Sequence, residues 1–151
     1  MCIRDSLKAL RGQLVFTGLR TNGRPVDRAL AKQFDYILAD ASQWNSADAI
    51  ENNPMDVIAN LPVALQNKAV LEAMAKYTVA LQMNESNMTA DFVKLAKQTG
   101  VKLSFGSGYN GSGQLRRCER GVTLAKECKL KWQDFWVAGA WGSTKAAERQ
   151  G

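Results

Sequence analysis

Any chemistry that this chain performs is done without an imidazole side chain, because none of its 151 residues is histidine. Histidine is the side chain that titrates nearest neutral pH, the commonest metal ligand and the usual general base. Its absence excludes, for this chain alone, zinc sites built on histidine, Ser-His-Asp triads and Cys-His dyads. The composition by itself indicates no particular activity.

Polar side chains follow the predicted strands at the points where the strands end. Asparagine and glutamine both donate and accept hydrogen bonds, so such a set suits neutral polyols or sugars better than bare cations. Polar loops at strand ends also occur on folds that bind nothing there, and this alternative stays open. The candidate ligand-binding residues are Asp40, Asn60, Gln82, Asn84, Ser107 and Asn110, with Ser42, Gln43, Glu85 and Tyr109 beside them.

A glycine-rich segment, Gly106 to Gly113, leads into a predicted helix with Arg116 and Arg117 in its first turn. The free N–H groups and the dipole at a helix N-terminus favour a bound phosphate or carboxylate, and Arg116 adds positive charge there. The glycine spacing matches neither the P-loop nor the dinucleotide fingerprint. The alternative is that these glycines serve only a tight turn.

Short apolar segments alternate with amphipathic ones, which predicts an α/β fold with a parallel sheet and covering helices. Five such units fit the C-terminal part of a distorted (β/α)₇ TIM-like barrel, and a small complete open sheet is the alternative. The predicted strands are 13–18, 34–39, 55–59, 79–83 and 101–105. The predicted helices are 25–33, one opening at Pro62, one from Thr89 to Gly100, one with Leu115, Cys118, Val122 and Ala125 inward, and 132–136.

The first six residues, Met1 to Ser6, resemble a translated sequencing-library adapter that recurs at the start of unrelated metagenomic gene predictions. Such a segment is excluded from fold reasoning. We therefore expect an adapter-derived stretch at 1–6, a partial barrel domain at 7–138 and a loose tail at 139–151. On this interpretation the N-terminal part of a bacterial protein is missing, and any export signal with it; a cytoplasmic location is the favoured expectation.

Four segments resemble the PHP superfamily, the metal-dependent phosphoesterases of the polymerase and histidinol phosphatase type. They are Phe34 to Leu38, Met55 to Asn60, Ala80 to Asn84 and, most specific, Asp91 to Ser107 (DFVKLAKQTGVKLSFGS); the following Leu115 helix and the 132–135 segment also fit. The resemblance extends over 34–136, about two thirds of the chain. It implies a distorted (β/α)₇ barrel that holds up to three metal ions at the carboxyl ends of its strands.

The metal ligands of that family are not carried over. Ser42 lies near a position where the family has histidine, Asn60-Leu61-Pro62 replaces a His-Pro, and Gln82 stands where the family has an acid. Ser107 to Asn110 replaces a Ser-Asp-x-His. Amides are poor ligands for the divalent ions concerned, so no metal or other cofactor is predicted. Asp40 is the one well-placed carboxylate, with Glu85 as a second candidate, and a single weakly bound metal would need further ligands from upstream of this sequence.

The leading hypothesis is a degenerate PHP-like domain that binds a small polar or anionic ligand without catalysis. One alternative is a metal-dependent hydrolase whose essential ligands precede this sequence, and another is a structural or interaction scaffold. Lys and Arg exceed Asp and Glu by 20 to 14, but the basic residues are scattered without aromatic platforms and do not predict a nucleic-acid partner. No apolar run reaches the ~18 residues of a membrane span.

Overall fold

The computed structural model describes residues 18–83, 88–106 and 119–137, and within these ranges strands alternate with helices. The strands are three to five residues long, and all but the first are mostly apolar, as is usual for strands buried in a parallel sheet. The strands are β1 (Gly18–Thr21), β2 (Tyr36–Asp40), β3 (Val57–Ala59), β4 (Ala80–Met83) and β5 (Leu103–Phe105). The α-helices are α1 (Arg28–Ala31), α2 (Ala49–Asn52), α3 (Lys68–Lys76), α4 (Ala90–Thr99) and α5 (Glu119–Glu127); 3-10 turns lie at Val63–Leu65 and Trp132–Asp134.

The five strands form one parallel sheet in sequence order, β1-β2-β3-β4-β5. This confirms the predicted α/β class with its parallel sheet, and the described part of the sheet is open. Crossovers between neighbouring parallel strands are right-handed, so a sheet in sequence order carries its helices on one face. Because all five strands run parallel, their carboxyl ends lie along one edge of the sheet.

The hydrophobic core lies between the sheet and these helices. Strand residues such as Ile37, Ile58 and Leu81 contribute to it, and Leu71 and Val93 meet them from α3 and α4. None of these five side chains is more than 1% exposed. Alternation along each strand sends the intervening residues to the opposite face.

That opposite face is curved. Phe135 pairs in parallel with Leu103, and the Trp136 N–H donates to the Leu103 carbonyl oxygen at 2.8 Å, so residues 135–136 lie outside β5. The Trp136 ring nevertheless meets the Tyr36 ring of β2 edge to face, with centroids 5.6 Å apart. Four strand spacings in a flat sheet would separate those backbones by about 19 Å. The sheet must therefore bend toward the face opposite the described helices.

Several local predictions are confirmed and others are wrong. The Thr89 side chain caps α4, and Gly100 ends that helix with φ of 85°. The helix predicted from Pro62 instead begins at Lys68, capped by Asn67, because a 3-10 turn intervenes. Val122 is 44% exposed rather than inward.

Cys128 is a free, buried cysteine, and burial raises the pKa of its thiol. Leu115, Cys118 and most of the first predicted strand lie outside the described residues. None of the helices in the described ranges is long and apolar enough to cross a membrane.

Candidate functional site

Three of the predicted site residues lie together at the carboxyl edge of the sheet, on the face opposite the described helices. Asp40 pairs in register with Ala59, and Gln82 pairs with Ser104. Ile58 pairs with Leu81, which makes Ala59 and Gln82 neighbours as well. The side chains of Asp40, Ala59, Gln82 and Ser104 therefore form one row across four strands. Asn60 follows Ala59 directly and joins this row at the strand end.

Asp40 is the centre of a small hydrogen-bonded cluster. One oxygen, Oδ1, accepts from the Ser42 backbone N–H at 3.0 Å and from Asn60 Nδ2 at 3.2 Å. The other, Oδ2, accepts from Arg20 Nη2 in an ion pair. The Asn60 backbone has φ of 54°, a left-handed conformation that asparagine adopts more readily than most residues. Both oxygens of the carboxylate are thus used within the protein.

These contacts fix the charge state of Asp40. Partial burial raises the pKa of the carboxyl, but hydrogen bonds from the Arg20 side chain, from Ser42 and from Asn60 outweigh it and lower the pKa to about 2. Asp40 is therefore ionised at all physiological pH values. A carboxylate that is permanently ionised and fully hydrogen-bonded is poorly suited to act as a general acid or base near neutral pH.

Arg20 brings a positive charge to the same edge. Its partner position on β2 is Leu38, so the Arg20 side chain reaches Asp40 diagonally across the two strands. The Arg20 side chain is 53% exposed, whereas that of Asp40 is 18% exposed. The cluster consequently presents its guanidinium, more than its carboxylate, to solvent.

Gln82 provides the second polar group of the row. Its side chain is half-buried, and its amide lies against Gly106, where a Cβ atom would collide with the amide atoms. Among the residues that the structure describes, the Gln82 amide makes no hydrogen bond. A half-buried amide has two donors and an acceptor to satisfy, so its partners must come from outside the described residues, and a polar ligand is one group that can supply them.

The other predicted site residues, Asn84, Ser107, Asn110 and Arg116, lie outside the described residues. The glycine-rich segment does too, apart from Gly106. Their part in the site stays a prediction.

Sequence reasoning missed Arg20. The first strand was predicted at 13–18, which left Arg20 beyond its end, whereas β1 occupies Gly18–Thr21. One signal was available: Arg20 lies between Leu19 and Thr21, so a strand here sends the arginine to the opposite face from these two residues. The register, which pairs Arg20 with Leu38, then shows that Arg20 and Leu38 share a face. Its ion pair with Asp40 joins residues 20 positions apart and has no local signature.

The donor set at this edge does not fit the metal cluster that the PHP resemblance implies. Asp40 accepts from a guanidinium, which repels a cation, and Asn60 turns its N–H group toward Asp40. Gln82 offers one neutral amide oxygen. Within 18–83, 88–106 and 119–137, no three residues of the types His, Cys, Asp and Glu are grouped as a metal site.

Comparison with other proteins leaves the family open: no protein-family model matches the chain, and no curated protein is significantly similar to it.

Proposed function

We propose that this chain is a PHP-like partial (β/α) barrel domain that binds a small polar or anionic ligand at the carboxyl ends of its strands, without catalysing a reaction on it. Ligands of parallel α/β folds bind at this edge of the sheet. The observation that carries the proposal is the Gln82 amide, which is half-buried in the polar row and has no hydrogen-bond partner among the described residues.

The barrel part of the proposal is supported by the strand order and by curvature. Five parallel strands in sequence order place their helices on one face, as in (β/α) barrels. The contact between Tyr36 and Trp136 spans the other face and requires the sheet to curl. A curled sheet turns the row of Asp40, Gln82 and Ser104 toward a common centre, where a single small molecule can reach all three.

The non-catalytic part is supported by the state of Asp40. This carboxylate is held ionised by three neighbours, and its oxygens are occupied. Asn60 and Gln82 do not titrate and cannot exchange protons with a substrate near neutral pH. What the row can do well is donate and accept hydrogen bonds.

Side-chain amide resonances provide the test. In ¹⁵N–¹H spectra of the full chain, addition of gluconate, sorbitol or glucose is expected to shift the Gln82 Nε2 signals. The exposed Gln98 amide on α4 serves as the internal control and is expected to stay in place. Gln82→Ala is expected to weaken binding at least about fivefold, the effect of one or two lost hydrogen bonds, whereas Gln98→Ala is expected to leave it unchanged.

Two outcomes contradict the proposal. Binding that shifts no resonance of the row, or none of the probes binding at all, would refute a ligand site at this edge. Purified protein that carries two or more equivalents of manganese, iron or zinc and turns over phosphoesters would refute the non-catalytic interpretation and favour the hydrolase alternative.

A further inference from the structure

The geometry points to a ligand of one class: a small hydroxylated monocarboxylate, bound through the Arg20 guanidinium, with Asp40 as the residue that positions this guanidinium. This inference rests on the proposed function. It adds the charge of the ligand and the residue that recognises this charge.

The first support is the set of N–H groups that Arg20 leaves unused. A guanidinium has five N–H donors in a planar fork. One of its nitrogens, Nη2, donates to Asp40 Oδ2, and the guanidinium makes no other hydrogen bond within the described parts of the chain. A complete edge of two parallel N–H groups therefore remains. Such an edge matches the two oxygens of a carboxylate.

The second support is accessibility combined with orientation. The Arg20 side chain is 53% exposed, so a ligand can approach it from solvent. Its partner Asp40 is only 18% exposed and is itself held by Ser42 and Asn60. The guanidinium is thus tethered by Asp40 and still accessible to solvent, and this tether reduces the conformational entropy that a ligand must remove on binding.

The third support is the local charge balance, which selects a monoanion. Asp40 is ionised and lies beside the guanidinium, so the pair carries no net charge. A carboxylate brings one negative charge and gains the paired hydrogen bonds, whereas a phosphate dianion brings a second charge close to Asp40 without a second cation to meet it. Among the described residues of the row, Asn60, Gln82 and Ser104 are neutral.

The hydroxylated body of the ligand follows from the position of Gln82. Asp40 and Gln82 lie two strands apart in one row, with Ala59 between them, so their Cα atoms are separated by about 10 Å. Ala59, the residue between them, has a small side chain and is buried. A molecule of a few carbon atoms spans this gap, with its carboxylate on Arg20 and a hydroxyl on the Gln82 amide.

The experiment uses matched acid and neutral probes that differ in one group. The pairs are glucuronate with glucose, gluconate with sorbitol and glycerate with glycerol, and dissociation constants are measured by NMR titration of the full chain. In at least one pair the acid is expected to bind about tenfold more tightly or better, since charge-assisted bidentate hydrogen bonds are the strong ones. Glycerol 1-phosphate, a dianion, is expected to bind more weakly than glycerate.

Arg20→Gln is expected to abolish the preference for the acid, and Arg20→Lys is expected to reduce it, because lysine keeps the charge but not the paired edge. Arg24→Gln is the matched control: it removes the same charge from an exposed arginine four residues away and is expected to retain the preference. Thermal unfolding of each variant identifies any that do not fold; if Arg20→Gln does not, Arg20→Lys decides.

Each contrary result has its own meaning. Equal binding of acid and neutral probes overturns this inference and leaves the proposed ligand site standing. The inference also fails if Arg20→Gln keeps the preference, or if the phosphate binds more tightly than glycerate. If no probe binds, the proposed function fails with it.

Discussion

The buried carboxylate of Asp56 provides the sharpest test of how this sheet is held together. Asp56 is 1% exposed, and its Oδ2 accepts the backbone N–H of Ile37 at 2.8 Å. The Asp56 backbone N–H donates to the Ile37 carbonyl oxygen at 2.9 Å, and the Asp56 carbonyl oxygen accepts from Ala80 N at 2.8 Å. One residue thus joins the beginnings of β2, β3 and β4.

Replacing Asp56 with alanine leaves the Ile37 N–H buried without its acceptor. A buried donor that loses its partner costs about 1–3 kcal/mol, and hydrogen bonds to charged groups lie at the upper end. Loss of the packed carboxyl group adds to this cost, so we expect Asp56→Ala to lower the free energy of unfolding by about 2–4 kcal/mol. Asp56→Asn keeps an acceptor oxygen in place and is expected to lose about half as much.

Urea denaturation followed by circular dichroism measures the free energies, and hydrogen exchange of the Ile37 amide reports the bond itself. Asp91→Ala is the control, since it makes the same substitution at a side chain that is 97% exposed; it is expected to cost no more than about 0.5–1 kcal/mol. The reasoning is refuted if Asp56→Ala matches this control and the Ile37 amide keeps its protection.

Three further predictions concern the site and the helix that follows it. The pKa of Asp40 is about 2, against 3.8 as its ordinary value; its stabilisation is therefore present above pH 3.8 and lost as the pH falls through 2. We expect Asp40→Asn to remove about 1 kcal/mol of stability near neutral pH, a value reduced for the exposure of its cationic partner, and the gap from wild type to close in acid urea titrations. Gly106→Ala places a methyl group on the Gln82 amide, and because that amide is the end of a flexible side chain we expect ligand-induced shifts to weaken while the melting temperature changes little. Thr89→Ala removes the cap on the Phe92 N–H and is expected to cost about 1 kcal/mol in urea unfolding. Thr123→Ala, a substitution within α5, is expected to be close to neutral, and equal losses for the two threonines would contradict the capping argument.

The order of elements was predictable because it depends on local patterns. Helix α4 shows this best: Thr89 at its start, Gly100 at its end and an apolar face with Phe92 and Ala96 are all visible along the chain, and both of these apolar residues are buried. The start of α3 was not predictable, since Pro62 suits the first turn of a helix equally well whether that helix is α or 3-10. Which form follows depends on packing beyond the local sequence.

The candidate site was predictable in part. Asp40, Asn60 and Gln82 were identified because parallel strands bring their carboxyl ends to one edge, a rule that needs only the strand assignments. The sequence could not predict that both carboxylate oxygens of Asp40 accept hydrogen bonds within the protein, because the donors come from β1, from the next loop and from the end of β3. The register that brings Arg20 beside Asp40 is a property of the assembled sheet.

The sequence by itself determined which side chains are available and the class of fold. It has no histidine, it has amides at the strand ends, and its alternating segments form a parallel α/β fold. These follow from composition and from local periodicity, which need no contact between distant residues. Only the tertiary structure decided the charge and orientation of the site. Arg20 and Asp40 meet through strand pairing across 20 residues, and the curvature recorded by Tyr36 and Trp136 spans 100 positions. Such contacts arise from the packing of the whole sheet and leave no pattern in any short segment of the chain.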